Sequence, residues 1–276
     1  MRAHLGGSSR QSLAIARTKL DAAVKGASSA DASKLSSDLF VAADVIGANI
    51  SLRRALTDPA RSAADKAALV KDLFGSHVDS LALGILSDIA AQRWSGSKDL
   101  TLVLEQLAVE AEASAANIAG ELDRVEDELF ATAQAVAANF ELRKAFISPA
   151  DSASKATLVS QLLTSHTASA QKLVTALVSN LRGRSIESAF DDFMYALAAR
   201  RDRVIALVRV AKELTPAQRE RLSAALTKQA GQPVRVNIEV DASVVGGVSV
   251  KYADELVDAT VSTRLARAGR ALAGNK

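Results

Sequence analysis

A mainly α fold is predicted, with a duplicated N-terminal helical bundle followed by a small α+β domain. Three observations carry that reading. Apolar residues recur at helical spacing over most of the chain before Arg203. The chain also echoes itself after about ninety residues, the mark of a repeated supersecondary unit. Beyond Arg203 the period changes to alternation, as in Val234, Val236, Ile238 and Val240 with Arg235, Asn237 and Glu239 between them.

The echo is specific. Ala48-Asn49-Ile50-Ser51-Leu52-Arg53-Arg54-Ala55-Leu56 is matched by Ala138-Asn139-Phe140-Glu141-Leu142-Arg143-Lys144-Ala145-Phe146. Pro59-Ala60 then matches Pro149-Ala150. After a one-residue gap, Lys66-Ala67-Ala68-Leu69-Val70 matches Lys155-Ala156-Thr157-Leu158-Val159, Ser76-His77 matches Ser165-His166, and Arg93 matches Arg182.

The first copy starts near Ser9, with two helices ahead of the repeated core. Leu13, Ile15, Ala16, Leu20 and Val24 belong to its leading helix. Asp58-Pro59 and Ser148-Pro149 break the helical pattern, because proline restricts the preceding residue and cannot continue a helix. Val78, Leu81, Ala82, Ile85, Leu86 and Ile89 form one apolar stripe; Leu173, Val174, Leu177, Val178 and Leu181 do the same in the second copy. A long helix from Ala113 to Asn139 is expected to bridge the copies. Val204–Val210 reads as a strand. Thr215-Pro216-Ala217-Gln218 opens a helix with a capping-box pattern, and Gly231 ends it. Two alternating strands follow, then a final helix with Val261, Leu265, Ala268 and Leu272 on one face. The expected domains are 1–112, the first bundle copy; 113–202, the second copy with its bridging helix; and 203–276, the α+β domain.

Composition narrows the functional classes. The 276 residues contain no cysteine, which excludes disulfides, thiolate metal sites and cysteine nucleophiles. No run of about 18 apolar residues occurs, so no membrane span is expected. The 34 basic residues outnumber the 31 acidic ones by a margin too small to argue for nucleic acid. His4, His77 and His166 have no metal-ligand spacing, and no GxSxG or HExxH is present. Gly246-Gly247 lies between strands without the lysine–serine step of a phosphate loop, so a backbone role is expected. The acidic run Glu121, Asp123, Glu126, Asp127 and Glu128 reads as a solvated helix face. Trp94 reads as a packing anchor. These features leave no catalytic set, no cofactor and no metal site, and the chain is expected not to be an enzyme.

The segment Asp241-Ala242-Ser243-Val244-Val245-Gly246-Gly247 carries most information. It resembles the C-terminal signature of the delta subunit of F-type ATP synthases, whose mitochondrial counterpart is the oligomycin-sensitivity-conferring protein. That family writes the region as Asp-x-Ser, two aliphatic residues and Gly-Gly, followed later by Asp-Gly-Ser. Asp258 matches the later aspartate, but Ala259 and Thr260 stand where Gly-Ser is usual. The doubled helical part resembles the long actinobacterial form, as do Arg93-Trp94-Ser95 and Val125-Glu126-Asp127-Glu128-Leu129-Phe130. No stalk-like coiled coil or membrane segment precedes the delta-like region, so the fusion seen in some members is not expected here.

The resemblance implies a stator, or peripheral stalk, subunit of the proton-translocating ATP synthase. It would link the catalytic head to the stalk so that rotor torque drives ATP synthesis. The implied partners are the N-terminal helices of the alpha subunits and the peripheral-stalk b subunit. Nucleic acid is not among them. The implied location is the cytoplasmic face of the cell membrane, with membrane association only through the complex. By order along the chain, Leu13, Ile15, Leu20, Val78, Leu81, Ile85 and Ile89 are the counterparts of the family's groove for an alpha-subunit helix. Asp241, Ser243, Val244, Val245, Gly246, Gly247 and Asp258 mark the stalk-binding domain. A free helical adaptor for amphipathic helices in another assembly is the alternative; it would have no reason to carry this signature.

Overall fold

A computed structural model describes residues 5–149, 151–200, 204–230, 234–241, 248–252 and 255–258. The chain divides into two compact units, Met1–Leu197 and Ala198–Lys276. The first unit is built from α1 (Gly7–Val24), α2 (Ser29–Ala48), α3 (Ile50–Thr57), α4 (Ala63–Phe74), α5 (Ser80–Ala90) and α6 (Asp99–Ile118). It continues with α7 (Leu122–Ala138), α8 (Phe140–Ile147), α9 (Ser152–Leu162), α10 (Ala168–Ser179) and α11 (Ile186–Ala199), whose last residues pass into the second unit.

The duplication is visible in the way helices begin and in what they bury. Asn49 caps α3 by accepting from the Leu52 amide, and Asn139 caps α8 by accepting from Leu142. Each satisfies an orphan N–H of a first turn. Both short helices stop before the X-Pro step, at Thr57 and Ile147. In α2 the buried positions Ala32, Leu35, Ser36, Leu39, Ala42 and Ile46 correspond to Leu122, Val125, Glu126, Leu129, Thr132 and Val136 in α7. Lys66, Val70 and Phe74 correspond in the same way to Lys155, Val159 and Leu163.

At α5 the register moves by one residue. Asp79 and Thr167 cap α5 and α10, and Ala82, Ile85, Leu86 and Ile89 correspond by burial to Ala170, Leu173, Val174 and Leu177. The first copy has Val78 between His77 and its cap; the second passes directly from His166 to Thr167.

The expected bridging helix is two helices. Gly120 adopts a left-handed φ of 74° after α6. The Glu121 amide donates to Ala116 O at 2.8 Å and the Gly120 amide to Asn117 O at 3.1 Å. This is a Schellman ending, for which glycine is the favoured residue.

Helix α6 is buried on nearly all sides, from Leu100 to Ala116. It packs on α1, α2 and α3 of the first copy and on α7 and α10 of the second. Its buried Leu100, Val103, Leu104 and Leu107 correspond to Ile186, Ala189, Phe190 and Phe193 of α11. It is therefore the closing helix of the first copy and also the scaffold of the second. The expected boundary between residues 112 and 113 falls inside it.

The second unit contains β1 (Val204–Val210), α12 (Pro216–Ala230), β2 (Val234–Val240), β3 (Val248–Tyr252) and β4 (Glu255–Asp258). Sheet order is β2-β1-β3-β4, with β1 parallel to β2 and the other pairs antiparallel. The Thr215–Gln218 capping box forms: Gln218 N donates to Thr215 Oγ1 at 3.3 Å, and Thr215 N to Gln218 Oε1 at 2.9 Å. Val208, Val210, Leu226 and Val250 make the core between helix and sheet. Among the described residues no single helix is long and apolar enough to cross a membrane. The expected C-terminal helix lies outside the described residues.

Candidate functional site

The seven groove residues divide sharply by exposure. Leu13, Leu20, Ile85 and Ile89 are 5%, 0%, 4% and 1% exposed and sit in the unit's own core. Ile15 and Leu81 are 38% and 40% exposed, and Val78 is half-buried against the core. Helices α1 and α5 pack on one another, and Lys19 pairs with Asp88 across them at 3.0 Å. Leu81 lines a small cavity of about 130 Å³ with Lys34 and Asp79. There the Lys34 ammonium, the Leu81 amide and the Ser80 hydroxyl hold the Asp79 carboxyl down to about 2. A wider hollow of about 390 Å³ lies between α4 and α5, over Ala67, Ala68, Leu83 and Gly84. The surface available to a partner is thus an apolar edge beside an ion pair.

Three acids on α6 are buried, and two of them, Glu105 and Glu112, tie the two copies together. Glu105 accepts from Arg182 Nε at 2.9 Å and from Arg184 Nη2 at 2.7 Å. Arg182 also reaches Asp44 of α2 at 2.6 Å and the Ala43 carbonyl at 3.2 Å, while Arg184 reaches Asp192 of α11 at 2.9 Å. Glu112 takes Lys172 of α10 at 2.7 Å and the hydroxyls of Ser33 and Ser169. Glu110 takes Arg17 of α1 at 2.9 Å and Gln106 at 2.8 Å. Burial pushes the Glu105 carboxyl up, against the opposing pull of its two guanidiniums. Periodicity does not announce these acids, because charges on an otherwise apolar helix read as its solvent face. The mutual spacing of Arg182 and Arg184 is the nearest sequence signal.

Not all of the acidic run in α7 is solvated. Glu126 is buried. Glu128 bridges to the start of α10, accepting from the Thr167 amide at 2.8 Å and hydroxyl at 2.7 Å. Partial burial alone would raise its carboxyl, but the bonds from Thr167 and Arg124 outweigh that and hold it low. The neighbouring α10 packs on α7, which turns this end of the run inward.

Lys155 serves the second copy similarly. Its ammonium donates to Phe146 O at 3.1 Å and Val178 O at 2.5 Å, near the ends of α8 and α10, and burial lowers its pKa. Carbonyls in a last turn lack helical partners. Replacing Lys155 by alanine is expected to cost about 3 kcal/mol, because each bond to a charged donor contributes about 1.5–3 kcal/mol. A thermal melt of the full chain checks this; an unchanged midpoint would remove the lysine from the stability account.

In the second unit, Asp241 follows β2 and its amide donates to Val210 O at 2.8 Å. Asp258 ends β4 opposite Ser249. Ser243, Val244, Val245, Gly246 and Gly247 lie outside the described residues. In the first unit, His77 and His166 occupy equivalent turns, their amides bonded to Phe74 O and Leu163 O. No cluster of potential metal ligands occurs among the described residues. Trp94 packs half-buried against the core.

A family model described as ATP synthase delta (OSCP) subunit matches residues 109–272. The ATP synthase subunit delta of Streptomyces coelicolor is 42% identical over 269 residues, 97% of this chain and 98% of that protein. That of Streptomyces griseus is 40% identical over 272 residues, 98% of this chain and all of its own length. A chain in the Toxoplasma gondii mitochondrial ATP synthase hexamer is 22% identical, with a TM-score of 0.37 over 59% of this chain and 96% of its own.

Proposed function

Because this chain belongs to the ATP synthase delta (OSCP) subunit family, we propose that its helical unit receives N-terminal helices of the alpha subunits and its C-terminal unit holds the b subunit. The family role is that of a non-catalytic peripheral-stalk component of the ATP synthase, a membrane-associated complex. Its place in that complex, in this reading, is at the cytoplasmic face, bound only through its partners.

The shared helix α6 is the observation that best supports a mechanical role. Ion pairs from both copies converge on one helix, Arg17 from the first and Lys172, Arg182 and Arg184 from the second, so force applied to either copy is carried by the same packed core. Ile15, Val78 and Leu81 give the first copy an apolar edge suited to an amphipathic helix.

The test is recovery of partners from solubilised membranes on the tagged full chain. Alpha and b subunits should both co-purify. Leu81→Asp, at an exposed position, should weaken binding of an alpha N-terminal peptide about tenfold or more, since a charge would be buried at the contact. Retention of b by that variant is expected. Unchanged peptide affinity would move the docking site off this edge, and recovery of neither subunit would favour the adaptor.

A further inference from the structure

A cavity of about 290 Å³ opens between the end of α2 and the start of α6, lined among others by Arg53, Lys98, Thr101, Asn180 and Arg182. Its charged lining is cationic. Arg182 is already balanced by Asp44 and Glu105. Arg53 spends one guanidinium nitrogen on Gly47 O at 2.8 Å. Among the described residues no carboxylate makes an ion pair with Arg53 or Lys98, and Asp99, next to Lys98, is taken up by the Ser9 hydroxyl. Thr101 is 4% exposed, and its hydroxyl has no hydrogen-bond partner among the described residues.

The second copy shows what is missing. Arg143 is the repeat equivalent of Arg53 and makes the same backbone bond, to Ala137 O at 3.3 Å. It also pairs with Glu187 of α11 at 3.0 Å. The buried positions that match α6 to α11 place Thr101 opposite Glu187. The first copy therefore keeps the arginine and replaces the carboxylate by a short hydroxyl, with a cavity in its place. We propose that this cavity is an oxyanion site, which takes a phosphate- or carboxylate-sized anion where Glu187 serves the second copy. Arg53 and Lys98 supply the charge, and the Thr101 hydroxyl supplies a donor.

The test is the thermal midpoint of the full chain in inorganic phosphate against chloride at matched ionic strength. Phosphate should raise the midpoint saturably; at ten times Kd the unfolding constant falls about elevenfold. Thr101→Glu should raise the midpoint in chloride and abolish the phosphate response, because the carboxylate is then built in. Lys98→Gln, at an exposed position, should weaken the response without unfolding the chain, and Arg143→Gln should leave it intact. The same comparison on the assembled complex separates the sources. Loss of the response there assigns the cavity to an acidic side chain of a partner; persistence assigns it to a free anion. Equal midpoints in phosphate and chloride for the wild-type chain, or an undiminished response in Thr101→Glu, would overturn the proposal.

Discussion

Cutting the chain after Ala113 is expected to leave neither half with a native helical core. The cut falls inside α6, which both copies use. Residues 1–113 would keep Glu105 and Glu112 but lose Arg182, Arg184 and Lys172, their cationic partners. Residues 114–276 would lose the helix on which α7 and α10 pack. Stranded buried charges cost several kcal/mol each, against a total domain stability of about 5–15 kcal/mol. Far-ultraviolet circular dichroism on each fragment should show a broad, weakly cooperative melt of the helical signal, and mixing the fragments should restore part of the transition. A fragment 1–113 that melts sharply at the temperature of the full chain would mean the first copy stands alone.

Replacing Arg182 and Arg184 together by alanine is expected to cost about 3–5 kcal/mol, the range for breaking a buried pair. In a unit of this size that corresponds to a fall of about 6–20 °C in the melting midpoint. Removing Glu105 instead should cost less, because Arg182 retains Asp44 and Arg184 retains Asp192. The double variant should also depend on pH in a definite sense. Burial already pushes the Glu105 carboxyl above its ordinary value of 4.5, and the two guanidiniums that oppose this are gone. The folded state then holds a proton that the unfolded state releases. The contribution of this carboxyl to stability is therefore fully present below about 4.5 and is lost as pH rises through the raised folded value. The deficit of the variant relative to wild type should shrink on acidification. A deficit that grows on acidification, or a wild-type midpoint, would mean that Glu105 does not depend on these two arginines.

Several features were legible in the residues themselves. The echo between Asn49 and Asn139, the X-Pro stops, the strand Val204–Val210 and the Thr215–Gln218 capping box are local, and the structure shows each of them. Caps, proline and period act through the nearest few residues, so the chain states them directly. The identity of the family was likewise carried by a short stretch around Asp241.

Long-range contacts decided the rest. An apolar stripe marks the face that is buried without saying by what, so Ile85 and Ile89 suited a partner's groove and the bundle's own core equally well; packing assigned them to the core. Glu105, Glu110 and Glu112 are buried because helices from both copies surround α6 and bring Arg17, Lys172, Arg182 and Arg184 to them. The sequence predicts a single helix through Gly120, where the structure ends α6. By ending α6 there, the chain turns α7 back against a helix the first copy already uses, and two sequence repeats become one tertiary body. Sequence by itself determined the repeated unit, the caps and proline stops of its short helices, and the family. Only the tertiary structure decided which charges are interior and which apolar residues remain outside, because both depend on what lies across the core from each side chain.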